Sequence, residues 1–242
     1  MNTVAIIEAR MSSTRLPGKV MLRWKELTML EVMIKRVRRC HLIDRIVVAT
    51  TTNQKDDLLC EFLQTKGINF FRGSENDVLK RVYEASVAFN VDTLVSLTAD
   101  CPLIDPILIE ECIQLFLHND LDFVTNCHIR SYPDGMDIQV ISVNALRIAN
   151  HEARTAAERE HPTLYLRRHS ERFKTIHVVA NSQLYNPTLG LTLDEKSDFD
   201  FICSILDKLS SPIEASCLDI LQTIRNERLV ILNDRVQRRV VD

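Results

Sequence analysis

The segment Glu8-Ala-Arg-Met-Ser-Ser-Thr-Arg-Leu-Pro-Gly-Lys19 gathers Arg10, Arg15 and Lys19 around the hydroxyls of Ser12, Ser13 and Thr14. Cations mixed with hydroxyls at this density suit a polyphosphate. Pro17-Gly18 lets the backbone turn closely under a bound anion, because proline restrains its own φ and glycine tolerates positive φ. The plainer reading is a solvated basic surface loop, but so dense a cationic loop is unusual in a chain of net charge −3. Two carboxylates complement it. Asp100, in Thr98-Ala-Asp-Cys-Pro-Leu-Ile-Asp105, and Asp194, in Leu191-Thr-Leu-Asp194, each follow a short apolar run. Such a pair can hold a hard divalent cation against phosphate oxygens, since Mg²⁺ prefers one or two carboxylates plus the substrate's phosphates. Asp194 also reads as a plain cap for the helix after it, and Asp105 reads as a cap.

Other polar residues support two readings each. Ser74 with Asp77 resembles a helix-capping box, but capping does not account for Arg72 and Arg81, and Asp77, Arg72 and Arg81 are divided between scaffold and substrate contact. Residues 130–180 carry Asp134 and Asp137, suited to sugar hydroxyls, and His161 and Arg168, which with Arg72 and Arg81 suit a carboxylate. His161 equally suits a solvent-facing helix end. Cys101 sits beside Asp100, but no histidine lies nearby in sequence to activate it as a nucleophile.

The elements that must position these groups follow from periodicity. Residues 4–7 form a short β-branched run, as in a buried parallel strand, so the cationic loop begins at a strand's carboxyl end, where open α/β sheets bind ligands. Strands are expected over 45–50, 69–71, 93–97, 122–126, 136–142, 174–180 and 190–193. Helices are expected over 27–39, 56–66, from 74 to 89, and over 106–117, 143–150, 197–209 and 215–225. In the first helix the basic residues, Arg36 among them, fall to the surface. The alternation predicts an α/β fold with a mostly parallel, Rossmann-like sheet. The chain reads as a single domain over residues 1–242, with an insertion lobe at about 130–180 facing the phosphate site and an unassigned extension over 210–242 that ends in Arg235, Arg238 and Arg239.

Composition excludes several classes. With 45% hydrophobic residues the chain can fill a core, and a pI of about 6.2 argues against a nucleic-acid partner, which needs an extended basic face. No apolar run of about 18 residues and no leader pattern occurs, so a cytoplasmic protein without a membrane partner is expected. Seven scattered cysteines contain no C-x-x-C pair, which suggests reduced thiols.

Taken together, residues 9–19, 71–79, 98–105, Tyr132-Pro-Asp-Gly135, Glu158-Arg-Glu-His161 and 191–194 resemble the motifs of the spore coat polysaccharide biosynthesis protein F family of cytidylyltransferases. More distantly, they resemble those of the CMP-Kdo and CMP-sialic acid synthetases. The resemblance runs from Val4 to about Leu209. It implies a nucleotidyltransferase fold of the nucleotide-diphospho-sugar transferase type, CTP and Mg²⁺ as requirements, and a homodimer built partly through the middle insertion. Carried over by position, Arg10, Arg15 and Lys19 hold the triphosphate, Ala9, Ser13 and Thr98 complete the CTP contacts, and Asp100 and Asp194 hold metal. Arg15, Lys19 and Asp100 are the expected catalytic set. Ala99 stands where the family has glycine, which narrows the backbone's approach to the nucleotide.

The expected reaction is attack of an acceptor hydroxyl, the anomeric one of an acidic sugar, on the α-phosphorus of CTP with loss of pyrophosphate. A P-loop phosphotransferase fails on detail: Val20 stands where Mg²⁺ needs a hydroxyl, and Ser13 stands where the motif needs glycine. A glycosyltransferase using a nucleotide-sugar donor can share the sheet and a strand-end carboxylate. A catalytically silent nucleotide-binding subunit is the alternative from another class.

Overall fold

A computed structural model of the chain describes residues 1–229; Arg235, Arg238 and Arg239 lie outside them. In chain order the elements are β1 (Thr3–Glu8), β2 (Arg23–Trp24), β3 (Leu27–Thr28), α1 (Met29–Val37), β4 (Arg45–Thr51), α2 (Asp57–Thr65), β5 (Asn69–Gly73), α3 (Val78–Ala88), β6 (Thr93–Thr98) and α4 (Pro106–His118). There follow β7 (Phe123–Thr125), β8 (Gln139–Ser142), α5 (Val143–Glu152), α6 (Ala156–Glu160), α7 (Leu164–Arg168), β9 (Thr175–His177), α8 (Lys196–Lys208) and α9 (Cys217–Asn226). Among the described residues no helix is long and apolar enough to cross a membrane.

Seven strands form one sheet in the order β5-β4-β1-β6-β8-β7-β9, with β2 and β3 a separate two-stranded ribbon. β8 runs antiparallel to both β6 and β7; the other neighbouring pairs are parallel. All strands but β8 therefore end on one edge, and β8 begins there. The alternation of side chains along β1 splits the core. Ala5 and Ile7 join the layer under α1, α2, α4, α8 and α9, while Val4 and Ile6 join the layer under α3, α5 and α7. The central strands are apolar on both faces because both are covered by helices.

Helix starts follow their side chains. Thr28 and Glu31 cap α1 reciprocally, Asp105 accepts the Ile107 N–H at the start of α4, and Ser216 and Asp219 cap α9. Asp105 also accepts the Cys217 N–H at 2.6 Å, which ties α9 to α4. The expected surface position of Arg36 is corrected: it is fully buried, with Nε donating to the Ile104 carbonyl at 3.0 Å and Nη2 to those of Leu103 and Ala215 at 3.1 and 2.7 Å. A helix-face pattern cannot anticipate this, because the accepting carbonyls come from remote loops. Arg36 thereby locks the segment after Asp100 to the described part of the C-terminal region.

Two strand expectations are also corrected. Residues 190–193 form no sheet strand but an extended segment with one parallel bridge, Asp134 to Gly190. Its polar backbone is spent elsewhere: Leu191 N–H donates to the Asp134 carbonyl and Leu193 N–H to the Asp100 carbonyl, each at 2.7 Å. Residues 136–138 precede β8, and there Asn126 substitutes for strand pairing, donating to the Met136 carbonyl and accepting the Ile138 N–H, both at 2.7 Å. Residues 130–180 lend β8 and β9 to the sheet and α5 to α7 to one of its faces.

Candidate active site

The loop after β1 owes its shape to a few bonds. Gly18 takes φ of +69° and donates its N–H to the Met11 carbonyl at 3.0 Å, closing the loop on itself. Buried Asp56 accepts the Met11 N–H at 2.7 Å and also the hydroxyl of Thr51 at the end of β4. A short 3₁₀ turn over Lys19–Met21 then aims Lys19 across the carboxyl edge of the sheet.

Lys19 Nζ lies 3.0 Å from Asp100 Oδ2 and 3.0 Å from Asp194 Oδ1, and Arg15 Nη2 lies 2.9 Å from Asp194 Oδ2. Thr98 donates its hydroxyl to Asp100 Oδ1 at 2.6 Å. Residues far apart in sequence meet here because the Leu193 N–H bonds to the Asp100 backbone. Asp194 is not a cap. Asp198 turns back to accept the N–H groups of Asp194 and Glu195 at 2.9 and 2.8 Å, which releases the Asp194 carboxylate to the cations. Burial opposes charge on Asp100 and on Lys19, yet their mutual attraction wins: the Asp100 carboxyl is held below its ordinary range, and the Lys19 ammonium above its own. Two carboxylates with no third acidic or imidazole ligand among the described residues fit a small hard cation whose remaining ligands are phosphate oxygens and water.

Around this centre, Ala9 is buried and donates its N–H to the Ala49 carbonyl at 3.2 Å. Ser13 is half-buried, while Arg10 and Thr98 are exposed toward the open edge. Glu75, from the turn after β5, accepts from Ser12 at 2.7 Å and Asn53 at 2.8 Å, with Arg10 4.0 Å away. Sequence reasoning left Glu75, Asn53 and Asp56 unassigned, since nothing local marks three separate loops as neighbours. It also left Glu8, whose carboxyl is pushed up to about 7 by burial, against the pull of Arg81 and with the push of Asp100.

Several residues expected at the substrate make contacts within the protein. Arg72 donates to the Thr51 and Asn53 carbonyls at 2.8 and 2.9 Å and pairs with Asp57 at 2.7 Å. Arg81 is buried, bonded to the Ser74 carbonyl and 3.9 Å from Glu8, and packed so closely on Gly73 that a Cβ there would meet its Cγ at 2.8 Å. Asp77, not Ser74, caps α3 by accepting the Lys80 N–H at 2.9 Å, and it pairs with Arg159 at 2.8 Å. Ser74 accepts the Asp77 N–H at 3.0 Å. Arg168 is exposed and lies 3.5 Å from Glu158, while His161 ends α6 through its backbone N–H to the Ala157 carbonyl. None of these contacts joins Arg72, Arg81, Asp77 or Arg168 to the Lys19 cluster.

Asp134 and Asp137 do lie at the open edge. Arg130 reaches both, 3.6 Å from Asp134 and bidentate to Asp137. Burial, only partly offset by Arg130, raises the Asp137 carboxyl to about 6, with Asp134 and Asp100 adding to the rise. Gly135, at φ of +105°, lets this turn approach residue 191: a Cβ would stand 2.8 Å from the Leu191 carbonyl carbon. Cys101 is buried and its thiol raised well above the ordinary value by burial and then Asp100, the opposite of an activated nucleophile.

Comparison with known proteins agrees with this geometry. The family described as Cytidylyltransferase matches residues 4–215. The spore coat polysaccharide biosynthesis protein SpsF of Bacillus subtilis is 31% identical over 221 residues, covering 89% of this chain and 91% of that protein. A solved cytidylyltransferase of Leptospira borgpetersenii serovar Hardjo-bovis superposes with a TM-score of 0.91 at 33% identity, covering 98% of this chain and all of the other. CMP:2-keto-3-deoxy-manno-octonic acid synthetase, solved with CTP, shares the fold at a TM-score of 0.66 and 17% identity, covering 86% of this chain and 99% of that one. A sheet edge that converges cations and paired carboxylates, on a chain matched over most of its length, makes this protein a nucleotidyltransferase of the cytidylyltransferase family.

Proposed function

We propose that the enzyme transfers CMP from CTP to a hydroxyl of a small acidic sugar, with Mg²⁺ as its metal and release of pyrophosphate, in the making of a surface polysaccharide or glycan. The observation that carries this reading is Lys19 held between Asp100 and Asp194, with Arg15 on the second carboxylate. Those cations are stored on acidic partners that a bound divalent ion would take over, which releases Lys19 and Arg15 to the triphosphate. Arg10 and the hydroxyl of Ser13 line the same loop, and Ala9 and Thr98 border the nucleotide side.

The acceptor oxygen forms a bond to the α-phosphorus, the bond from that phosphorus to the bridging oxygen breaks, and pyrophosphate carries the electron pair away. Lys19 and Arg15 offset charge that grows on the leaving phosphates, and they are preorganised for it by the loop. Asp100 and Asp194 would hold the Mg²⁺, which when bound neutralises phosphate charge and lowers the pKa of a contacting hydroxyl. Asp134 and Asp137 suit the sugar's hydroxyls. His161 supplies a further acceptor contact from the insertion. A homodimer through residues 130–180 is part of the proposal, supported by exposed Ile129 and Val179 near that end of the sheet. The location is read as cytoplasmic, where CTP is made available.

The test is pyrophosphate release from each of the four nucleoside triphosphates, with and without Mg²⁺, against acidic sugars, neutral sugars and phosphonates. CTP- and Mg²⁺-dependent release with an acidic sugar is expected. Preference for another nucleotide removes the CTP assignment, and turnover with neutral sugars alone removes the acidic acceptor.

A further inference from the structure

Beyond Asp137, the open edge continues into a group of basic side chains that the reaction at Asp100 does not use. β7 and β9 both end on that edge, with Thr125 in register with His177. The chain leaving β7 carries Cys127 and His128, and the rings of His128 and His177 stack with centroids 4.8 Å apart. Arg167, in the last turn of α7, is half-buried where its neighbour Arg168 is exposed. Its charge reaches both neighbours. Burial pushes the Cys127 thiol up to about 12 while Arg130 and Arg167 pull against it, and desolvation, then His177 and Arg167, lower the His128 imidazole. His177 Nδ1 is a buried polar atom with no hydrogen-bond partner, which in a native site calls for a ligand or water.

We infer that Arg167, His128 and His177 form the subsite for an oxyanion of the acceptor, carried at the end of the molecule remote from the attacking hydroxyl. The inference rests on the nucleotidyl transfer proposed above and names which acceptors it serves. The placement argument is one of strand spacing. In the sheet order β6-β8-β7-β9 strands lie about 4.8 Å apart, so the end of β7 stands about 10 Å, and that of β9 about 14 Å, from the strand that delivers Asp100. That span exceeds the distance from an anomeric hydroxyl to a carboxylate on the same carbon, and places the anion at the end of the acceptor remote from the attacking hydroxyl. Asp134 and Asp137, compensated by Arg130, lie between and face the intervening hydroxyls. Each imidazole can donate a ring N–H to a carboxylate or a phosphate group, and the arginine can grip the same group bidentately. The triphosphate is held by the loop after β1, on the other side of Asp100, and does not compete for the subsite.

The experiment uses the full-length protein labelled for observation of histidine rings by NMR. Glucuronate and glucose 6-phosphate place a carboxylate or a phosphate far from the anomeric hydroxyl, a hydroxyalkyl phosphonate provides the third oxyanion, and glucose is the neutral control. The resonances of His128 and His177 should move with at least one oxyanion and not with glucose, and Arg167→Gln should weaken that response at least 10-fold. Absence of any movement with all three oxyanions overturns the subsite, as does an equal response in Arg167→Gln. In turnover with CTP and Mg²⁺, Arg167→Gln and His177→Gln should each raise the acceptor KM at least 10-fold while leaving the KM for CTP unchanged. Efficient turnover of 3-deoxy-manno-octulosonate, whose carboxylate adjoins the anomeric carbon, at equal KM in wild type and both variants also overturns it. Failure of the protein to bind CTP in a separate titration would count against the proposed transfer, and the ring resonances would still decide the subsite.

Discussion

Replacing Glu8 by glutamine should stabilise the protein, and by an amount that depends on pH. Glu8 ends β1, faces the α3 side of the sheet, and is only 16% exposed at its side chain, so its charge is poorly hydrated. Burial raises its carboxyl from 4.5 to about 7 even though Arg81 stands 3.9 Å away. A carboxyl raised in the folded state contributes stability that is full below its unfolded value and is lost as pH rises through 4.5 toward 7. Treating glutamine as the neutral isostere, the wild type is at a disadvantage of about 1 kcal/mol at pH 5 and about 3 kcal/mol at pH 8. Urea unfolding of both proteins at the two pH values measures the difference directly, and groups shared by both proteins, Asp137 among them, cancel in it. A glutamine variant less stable than wild type at pH 8, or a difference that does not change with pH, refutes the reasoning and would mean that Arg81 depends on an ionised Glu8.

Three further outcomes are expected. Lys19→Ala and Arg15→Ala should each lower turnover by about 10²–10³, as for loss of one preorganised charge-stabilising donor, and steady-state pyrophosphate release would expose a wild-type rate in either. Asp100→Asn keeps the size of the side chain but halves the carboxylate pair on Lys19; Mg²⁺-dependent activity should fall at least 10-fold at any Mg²⁺ concentration, with thermal unfolding little changed, and retention of full activity would end the metal assignment. Gly135→Ala should destabilise by more than about 1 kcal/mol, because a Cβ at φ of +105° would press on the Leu191 backbone, and thermal unfolding indistinguishable from wild type would contradict that.

The sheet's first half was legible because its signals are local. Apolar runs of four to six residues ending at polar loops gave β1, β4 and β6 close to their observed bounds, and the spacing of apolar residues gave α1 through α4. The cationic loop and Asp100 were legible for the same reason: each stands where a strand visibly stops. Arginine roles were not. Arg36, Arg72 and Arg81 look in sequence like surface or ligand cations, yet each is spent on backbone carbonyls, and which carbonyls a loop leaves unpaired is decided by the packing of distant segments. Strand direction was equally hidden, since alternation along residues 136–142 is the same whether β8 runs with its neighbours or against them.

By itself the sequence determined the βα alternation, the cationic and hydroxyl-rich character of the loop from Glu8 to Lys19 and the placement of carboxylates at the ends of apolar runs, because hydrophobic periodicity and residue type are properties of short stretches. Only the tertiary structure decided that Asp194 faces Lys19 rather than capping a helix, that burial raises the Glu8 and Asp137 carboxyls, and that the rings of His128 and His177 meet at one end of the sheet. Each of these depends on desolvation and on charges brought together from remote positions, and those exist only once the chain has closed around them.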